Sequence, residues 1–154
     1  MRNLCKAVLA QLKGKTLATA ESCTGGGIGA ALTAISGSSA VYKGGVISYT
    51  NDIKEKLLGL DGNLLKETGP VSAETAHAMA TGVRKLLDAD VAISVTGLAG
   101  PGGDDYGNPV GTVYIGYADD KCQIARGFLF AGDRESVRRQ AAEAALKLIL
   151  EQNA

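Results

Sequence analysis

Val91-Ala92-Ile93-Ser94-Val95 runs directly into Thr96-Gly97-Leu98-Ala99-Gly100-Pro101-Gly102-Gly103. A short apolar run with no polar alternation is the pattern of a strand covered on both faces, as in a parallel sheet packed between helices. The glycine and proline cluster then breaks the strand into a loop. The same sequence of events occurs earlier, where Thr16 to Ala20 leads into Glu21-Ser22-Cys23-Thr24-Gly25-Gly26-Gly27. Two buried strands, each opening into a glycine-rich loop, frame the rest of the chain.

Working outward, helical and strand patterns alternate. Leu4, Cys5, Val8, Leu9 and Leu12 recur at helical spacing before Gly14, and Ile28, Ala31, Leu32 and Ile35 mark a second helical face closed by Ser36-Gly37-Ser38-Ser39. Gly45 to Tyr49 reads as a strand, after which Asn51 or Asp52 can cap a short helix through Leu58, ended by Gly59. Ser72, Glu74 and Thr75 open a longer helix striped by Ala76, Met79, Ala80, Val83, Leu86 and Leu87. Val110 to Ala118 and Cys122 to Phe130 read as strands paired across Asp119-Asp120-Lys121, and Val137, Ala141, Ala144, Ala145 and Leu148 stripe a last helix. This predicts one α/β layered domain over residues 1–154, with a mixed, partly parallel sheet of about five strands. Strand order is not readable from the pattern.

Composition narrows the function. The chain of 154 residues balances sixteen Lys plus Arg against sixteen Asp plus Glu, so it has no global field to recruit nucleic acid or an anionic membrane. Three cysteines, Cys5, Cys23 and Cys122, form no CxxC pair and leave one over from any disulfide, which points to a reducing, cytoplasmic setting. The N-terminal MRNLCKAVLAQLKGK is interrupted by Lys6, Gln11 and Lys13, so it reads as neither a signal peptide nor a membrane span. One histidine and scattered cysteines give no metal-ligand set, and Asp104-Asp105 lacks calcium-loop spacing. Gly25-Gly26-Gly27-Ile28-Gly29 lacks the spacing of a dinucleotide fingerprint. No metal and no cofactor is expected.

In open α/β sheets ligands bind beyond the carboxyl ends of the strands, where both glycine loops fall. The first offers Ser22, Cys23 and Thr24 before amides suited to a phosphate or to the oxyanion of acyl transfer, or it is simply a tight turn into a helix. A nucleophilic hydroxyl needs a base. His77 sits inside a helix at the flank of its core stripe, whereas Lys54 lies near the start of a short helix, where the dipole and desolvation both favour the neutral amine. The charged stretch Lys54-Glu55-Lys56 equally describes a solvated helix surface. Cys23 is the rival nucleophile, since thiols at helix N-termini ionise readily, or else it is a small buried side chain. Arg134 begins the last helix and could hold a phosphate or pair with Asp133 or Glu135.

Several ordered segments together resemble one family, the CinA C-terminal-domain proteins, whose active members hydrolyse the amide of nicotinamide mononucleotide. They are Ala20 to Gly26, Gly45 to Asn51 with Lys54, Gly69-Pro70-Val71-Ser72, Thr96 to Pro101, Pro109 to Val113 and Gly132-Asp133-Arg134, covering nearly the whole chain. The resemblance implies a three-layer α/β/α fold, with Ser22 as nucleophile and Lys54 as base; in the acyl-transfer mechanism expected from it, Tyr49 assists proton transfer or orients Lys54. Substrate contacts are expected from Glu21, Thr24, Gly25, Gly26, Thr96, Gly97, Gly100 and Arg134. The partner is then a small-molecule nucleotide, not nucleic acid or membrane, and relatives suggest a homodimer or larger. Many relatives carry an additional N-terminal domain; this chain starts about where the deamidase module would, the stand-alone form. It departs from the family at Asn108, where a lysine is frequent, and in the composition of Gly102 to Gly107. Two other readings use the same loops: a catalytically silent nucleotide-binding module, and cysteine-dependent amide hydrolysis at Cys23.

Overall fold

The computed structural model describes all residues, Met1–Ala154. A five-stranded sheet carries helices on both faces, giving an α/β/α sandwich. In chain order the elements are α1 (Arg2–Gln11), β1 (Leu17–Glu21), α2 (Gly27–Thr33), a 3-10 turn (Ser38–Ala40), β2 (Tyr42–Ile47) and α3 (Asn51–Leu58). They continue with α4 (Gly62–Thr68), α5 (Ala73–Leu86), β3 (Val91–Gly97), β4 (Thr112–Ala118), β5 (Gln123–Leu129) and α6 (Arg134–Gln152).

The strand order is β2-β1-β3-β4-β5. β1 runs parallel to β2 on one side and to β3 on the other, while β3, β4 and β5 are antiparallel. The connection leaving β1 goes one way across the sheet and the connection leaving β2 goes back past β1. Their loops therefore part above β1 and β3, opening a crevice at a topological switch point.

The two faces of the sheet differ in side-chain size. Leu17, Ile93, Val95, Val113, Ile115 and Tyr117 pack with buried residues of α1, α2 and α6. On the opposite face Ala18, Ala20 and Ala92 meet Leu58, Leu65, Met79 and Val83. Small residues there let α5 approach closely: the Ser94 hydroxyl donates to Ala76 O at 2.6 Å, and a Cβ on Gly116 would collide with that carbonyl. Both central strands are buried along their length, as runs without alternation require.

The caps are mostly local. Ser72 Oγ accepts from Thr75 N to start α5, and Asp133 Oδ1 accepts from Ser136 N to start α6. α3 is capped by Thr50 rather than by Asn51 or Asp52, and Gly59 closes it at φ 72°. β2 begins three residues and ends two residues earlier than its apolar run suggested. Its glycines pair with β1 because Gly45 passes beside the Tyr42 and Thr19 hydroxyls, which hydrogen bond at 2.7 Å and leave no room for a side chain. Ser48 to Thr50 then leave the sheet, which aims α3 back over the end of β1.

Candidate active site

β1 ends at Glu21, and strand alternation turns Glu21 and Ser22 to opposite sides. Ser22 faces a cavity of about 320 Å³, the size of a small-ligand site, at the switch point. Tyr49 and Lys54 enter it from the β2–α3 corner, Thr96, Gly97 and Gly100 from the end of β3, and Arg134 from the first turn of α6. Seven residues expected to serve one site thus share one cavity.

Glu21, Thr24, Gly25 and Gly26, expected to contact substrate, do not line it. Glu21 is turned toward α2, where its carboxylate accepts from Thr24 Oγ1 at 2.7 Å, Ile28 N at 2.8 Å and Gly29 N at 3.1 Å. Gly25 and Gly26, at φ 57° and 95°, make the left-handed turn that leads into α2.

Lys54 is 1% exposed. Helical spacing turns it inward with Leu58, four residues later and also buried, while Glu55, Lys56 and Leu57 face solvent. Its Nζ lies 3.2 Å from Ser22 Oγ, 2.7 Å from Ser48 O and 3.4 Å from Tyr49 O. No carboxylate pairs with it; the ion pairs of the chain are Lys56–Asp52 and Arg126–Glu151. Burial without a counter-charge lowers the amine from 10.5 to about 8.

Cys23 lines the cavity beside Ser22 but belongs to the hydrophobic core, and burial pushes its thiol up to about 11. Its expected activation at a helix N-terminus is reversed, because desolvation outweighs every nearby favourable group. His77 lies on α5, away from the cavity lining.

Arg134 pairs with neither Asp133 nor Glu135. Its Nη1 donates to Gly100 O at 2.8 Å and its Nη2 to the Tyr49 hydroxyl at 3.3 Å, bracing one loop and the β2–α3 corner across the cavity. The Tyr49 phenol therefore faces Arg134, and only its carbonyl touches Lys54.

Other contributors were less legible. Pro70 and Val71 line the cavity, and Thr96 Oγ1 ties that segment to β3 by donating to Pro70 O at 2.6 Å. Asn108 donates to Val71 O and Asp104 Oδ2, and Tyr106 to Leu65 O and Lys66 O, so the unusual 102–107 segment is anchored. Arg138, one turn beyond Arg134, donates to Cys23 O and Thr24 O; its i+4 spacing was the available signal. No three His, Cys, Asp or Glu side chains converge to hold a metal ion, and no helix is long and apolar enough to cross a membrane.

A buried serine, an uncompensated lysine amine and a lined cavity together can carry out nucleophilic acyl transfer. A family model described as the CinA C-terminal domain matches residues 2–153. The CinA-like protein of Geobacter metallireducens is 51% identical over 86% of this chain but only 32% of its own length. The chain thus spans about a third of the length of the curated relatives it matches. Among solved structures, the competence-damaged protein (CinA) superfamily protein from Escherichia coli superposes with TM-score 0.96 at 36% identity, covering 98% of this chain and 89% of that one. The competence/damage inducible protein CihA from Agrobacterium tumefaciens gives the same score and identity over 99% of this chain and 95% of that one.

Proposed function

The chain belongs to the CinA C-terminal domain family, and from that premise we propose that it hydrolyses the carboxamide of nicotinamide mononucleotide to nicotinate mononucleotide and ammonia. The observation that carries the reading is the 3.2 Å contact between Ser22 Oγ and a buried lysine amine with no carboxylate partner.

In its neutral form the Lys54 amine has two N–H groups, which match the two carbonyls of Ser48 and Tyr49, and one lone pair, which faces Ser22. Lys54 takes the Ser22 proton as Oγ attacks the carboxamide carbon. The C–O bond forms, and the carbonyl oxygen becomes an oxyanion that main-chain amides of the loop stabilise. When the C–N bond breaks, Lys54 returns the proton to the departing nitrogen and ammonia leaves. Water then adds to the ester with Lys54 again as base, releasing the acid and restoring Ser22.

Arg134 and the Ala99 and Gly100 amides form the phosphate end of the cavity in this reading, the Leu98 amide being engaged by Thr112 O, and Tyr49 orients Arg134. Cysteine chemistry is disfavoured by the raised Cys23 thiol. The test is ammonia release from nicotinamide mononucleotide, nicotinamide riboside and the dinucleotide, with Ser22→Ala and Lys54→Ala as controls. Release from the mononucleotide, lost by orders of magnitude in both variants, is expected. Release from none of the three, or an unchanged rate in Ser22→Ala, overturns the proposal.

A further inference from the structure

Outside the cavity, two side chains grip the nucleophile loop from opposite ends. Building on the acyl-transfer reading, we infer that Glu21 and Arg138 are positioning residues: they hold the Ser22–Gly25 turn whose geometry aims the main-chain N–H of Cys23 at the oxyanion.

In a trans peptide each C=O points opposite to the next residue's N–H, so whatever fixes a carbonyl also aims the following amide. Ser22 O accepts from Gly25 N at 3.0 Å, which turns the Cys23 N–H away from that turn. Cys23 O accepts from Arg138 Nε at 3.0 Å, which turns the Thr24 N–H away from the guanidinium. Thr24 O accepts from Arg138 Nη2 at 3.2 Å and from Gly27 N at 2.9 Å. Three successive carbonyls are thereby held.

The Cys23 N–H finds no main-chain acceptor, and Cys23, unlike Thr24, lines the cavity beside Ser22. A main-chain donor left without a main-chain acceptor beside a nucleophile is suited to an oxyanion.

Glu21 secures the other end. Its carboxylate is 2% exposed and collects the Thr24 hydroxyl and the first amides of α2, so Thr24 is held through its side chain by Glu21 and through its carbonyl by Arg138. Gly25 completes the fit, since a Cβ there would lie 3.4 Å from Arg138 Nη2 in a backbone that already disfavours side chains. Neither Glu21 nor Arg138 lines the cavity, so both act through the loop.

The test reads Ser22 reactivity without requiring any particular substrate. Phosphonylation of Ser22 by a small fluorophosphonate, followed by mass spectrometry, reports both nucleophile and oxyanion stabilisation, since the probe passes through a charged phosphoryl oxygen. Arg138→Met is expected to label on the order of 10-fold more slowly than wild type, Arg138→Lys to fall between them, and Glu21→Gln to be slowed at least as much as Arg138→Met. The pH midpoint of labelling, set by Lys54, stays in place, which a general loosening of the cavity would not allow. Wild-type labelling rates in folded Arg138→Met overturn the inference; if that variant does not fold, wild-type rates in Arg138→Lys do so. Fast wild-type labelling without ammonia release from the mononucleotide refutes the proposed substrate and leaves the positioning roles intact. Absence of labelling at wild-type Ser22 refutes both.

Discussion

Replacing Lys54 with methionine is expected to abolish turnover and, at pH 7, to make the protein harder to unfold. The amine is 1% exposed and meets two carbonyls and a hydroxyl but no anion. Its pKa falls from 10.5 to about 8 on folding. At about 1.4 kcal/mol per unit, the charged form is disfavoured in the folded protein by about 3 kcal/mol relative to the unfolded chain. That penalty is fully present below pH 8, where both states carry the proton. It fades between about pH 8 and 10.5, because the folded protein releases a proton that the unfolded chain still binds, and it is absent above that range. Methionine fills similar space without charge, but leaves the Ser48 and Tyr49 carbonyls without their donor, a cost of about 1–2 kcal/mol. The net at pH 7 is about 1–2 kcal/mol in favour of the variant, or roughly 0.5–1 M in urea midpoint. Urea melts of both proteins at pH 7, 8, 9 and 10 provide the check. Cys23 and Tyr42, also shifted upward, titrate in both proteins and largely cancel in the difference. A stability difference that stays constant from pH 7 to 10 refutes the claim that Lys54 is a strained buried cation.

In the proposed mechanism the same amine governs the pH dependence: with a base near pKa 8, about 10% is neutral at pH 7 and about 90% at pH 9, so kcat/KM should rise roughly 10-fold between them. A flat profile from pH 6 to 10 excludes Lys54 as the base. Because burial holds the Cys23 thiol near 11, iodoacetamide at pH 7.5 should modify the more exposed Cys122 first and leave turnover intact; peptide mapping that finds Cys23 labelled first, with activity lost in step, contradicts this. Arg134→Ala should raise KM for the mononucleotide about 10-fold while barely changing that for the riboside, and equal effects on both would remove Arg134 from the phosphate end. Gly116→Ala should cost about 2–3 kcal/mol, since the new methyl meets the Ala76 carbonyl; an unchanged urea midpoint would show that α5 can lift away freely.

Much of the layered fold is written in local pattern. Buried strands show as runs without alternation, and the α5 stripe of Ala76, Met79, Ala80 and Val83 faces the sheet as its spacing requires. The order of strands is not local, since any of these apolar runs fits beside any other; it follows from crossovers on opposite faces. α4 escaped because seven residues carry too few periods to separate helix from loop. In the site, the inward turn of Lys54 was available in its four-residue spacing to Leu58, but its charged neighbours describe the opposite face of the same helix. Glu21 shows the converse difficulty: it adjoins Ser22 in sequence, yet a strand sends neighbours to opposite sides. Arg138 donates to main-chain carbonyls 114 and 115 residues away, a relation that no pattern of side chains encodes.

That separation has a consequence for how the protein is made. At about 5–20 residues per second, roughly 6–23 s of synthesis pass between the appearance of Cys23 and that of Arg138 at the ribosome. For most of that interval, from the addition of residue 54 onward, Ser22 and Lys54 both exist on the nascent chain, while the helix that would steady the loop carbonyls and bring Arg134 to the cavity is still incomplete. The centre is therefore expected to ripen last, and a chain released prematurely before α6 would carry its reactive pair without the frame that gives the pair its use.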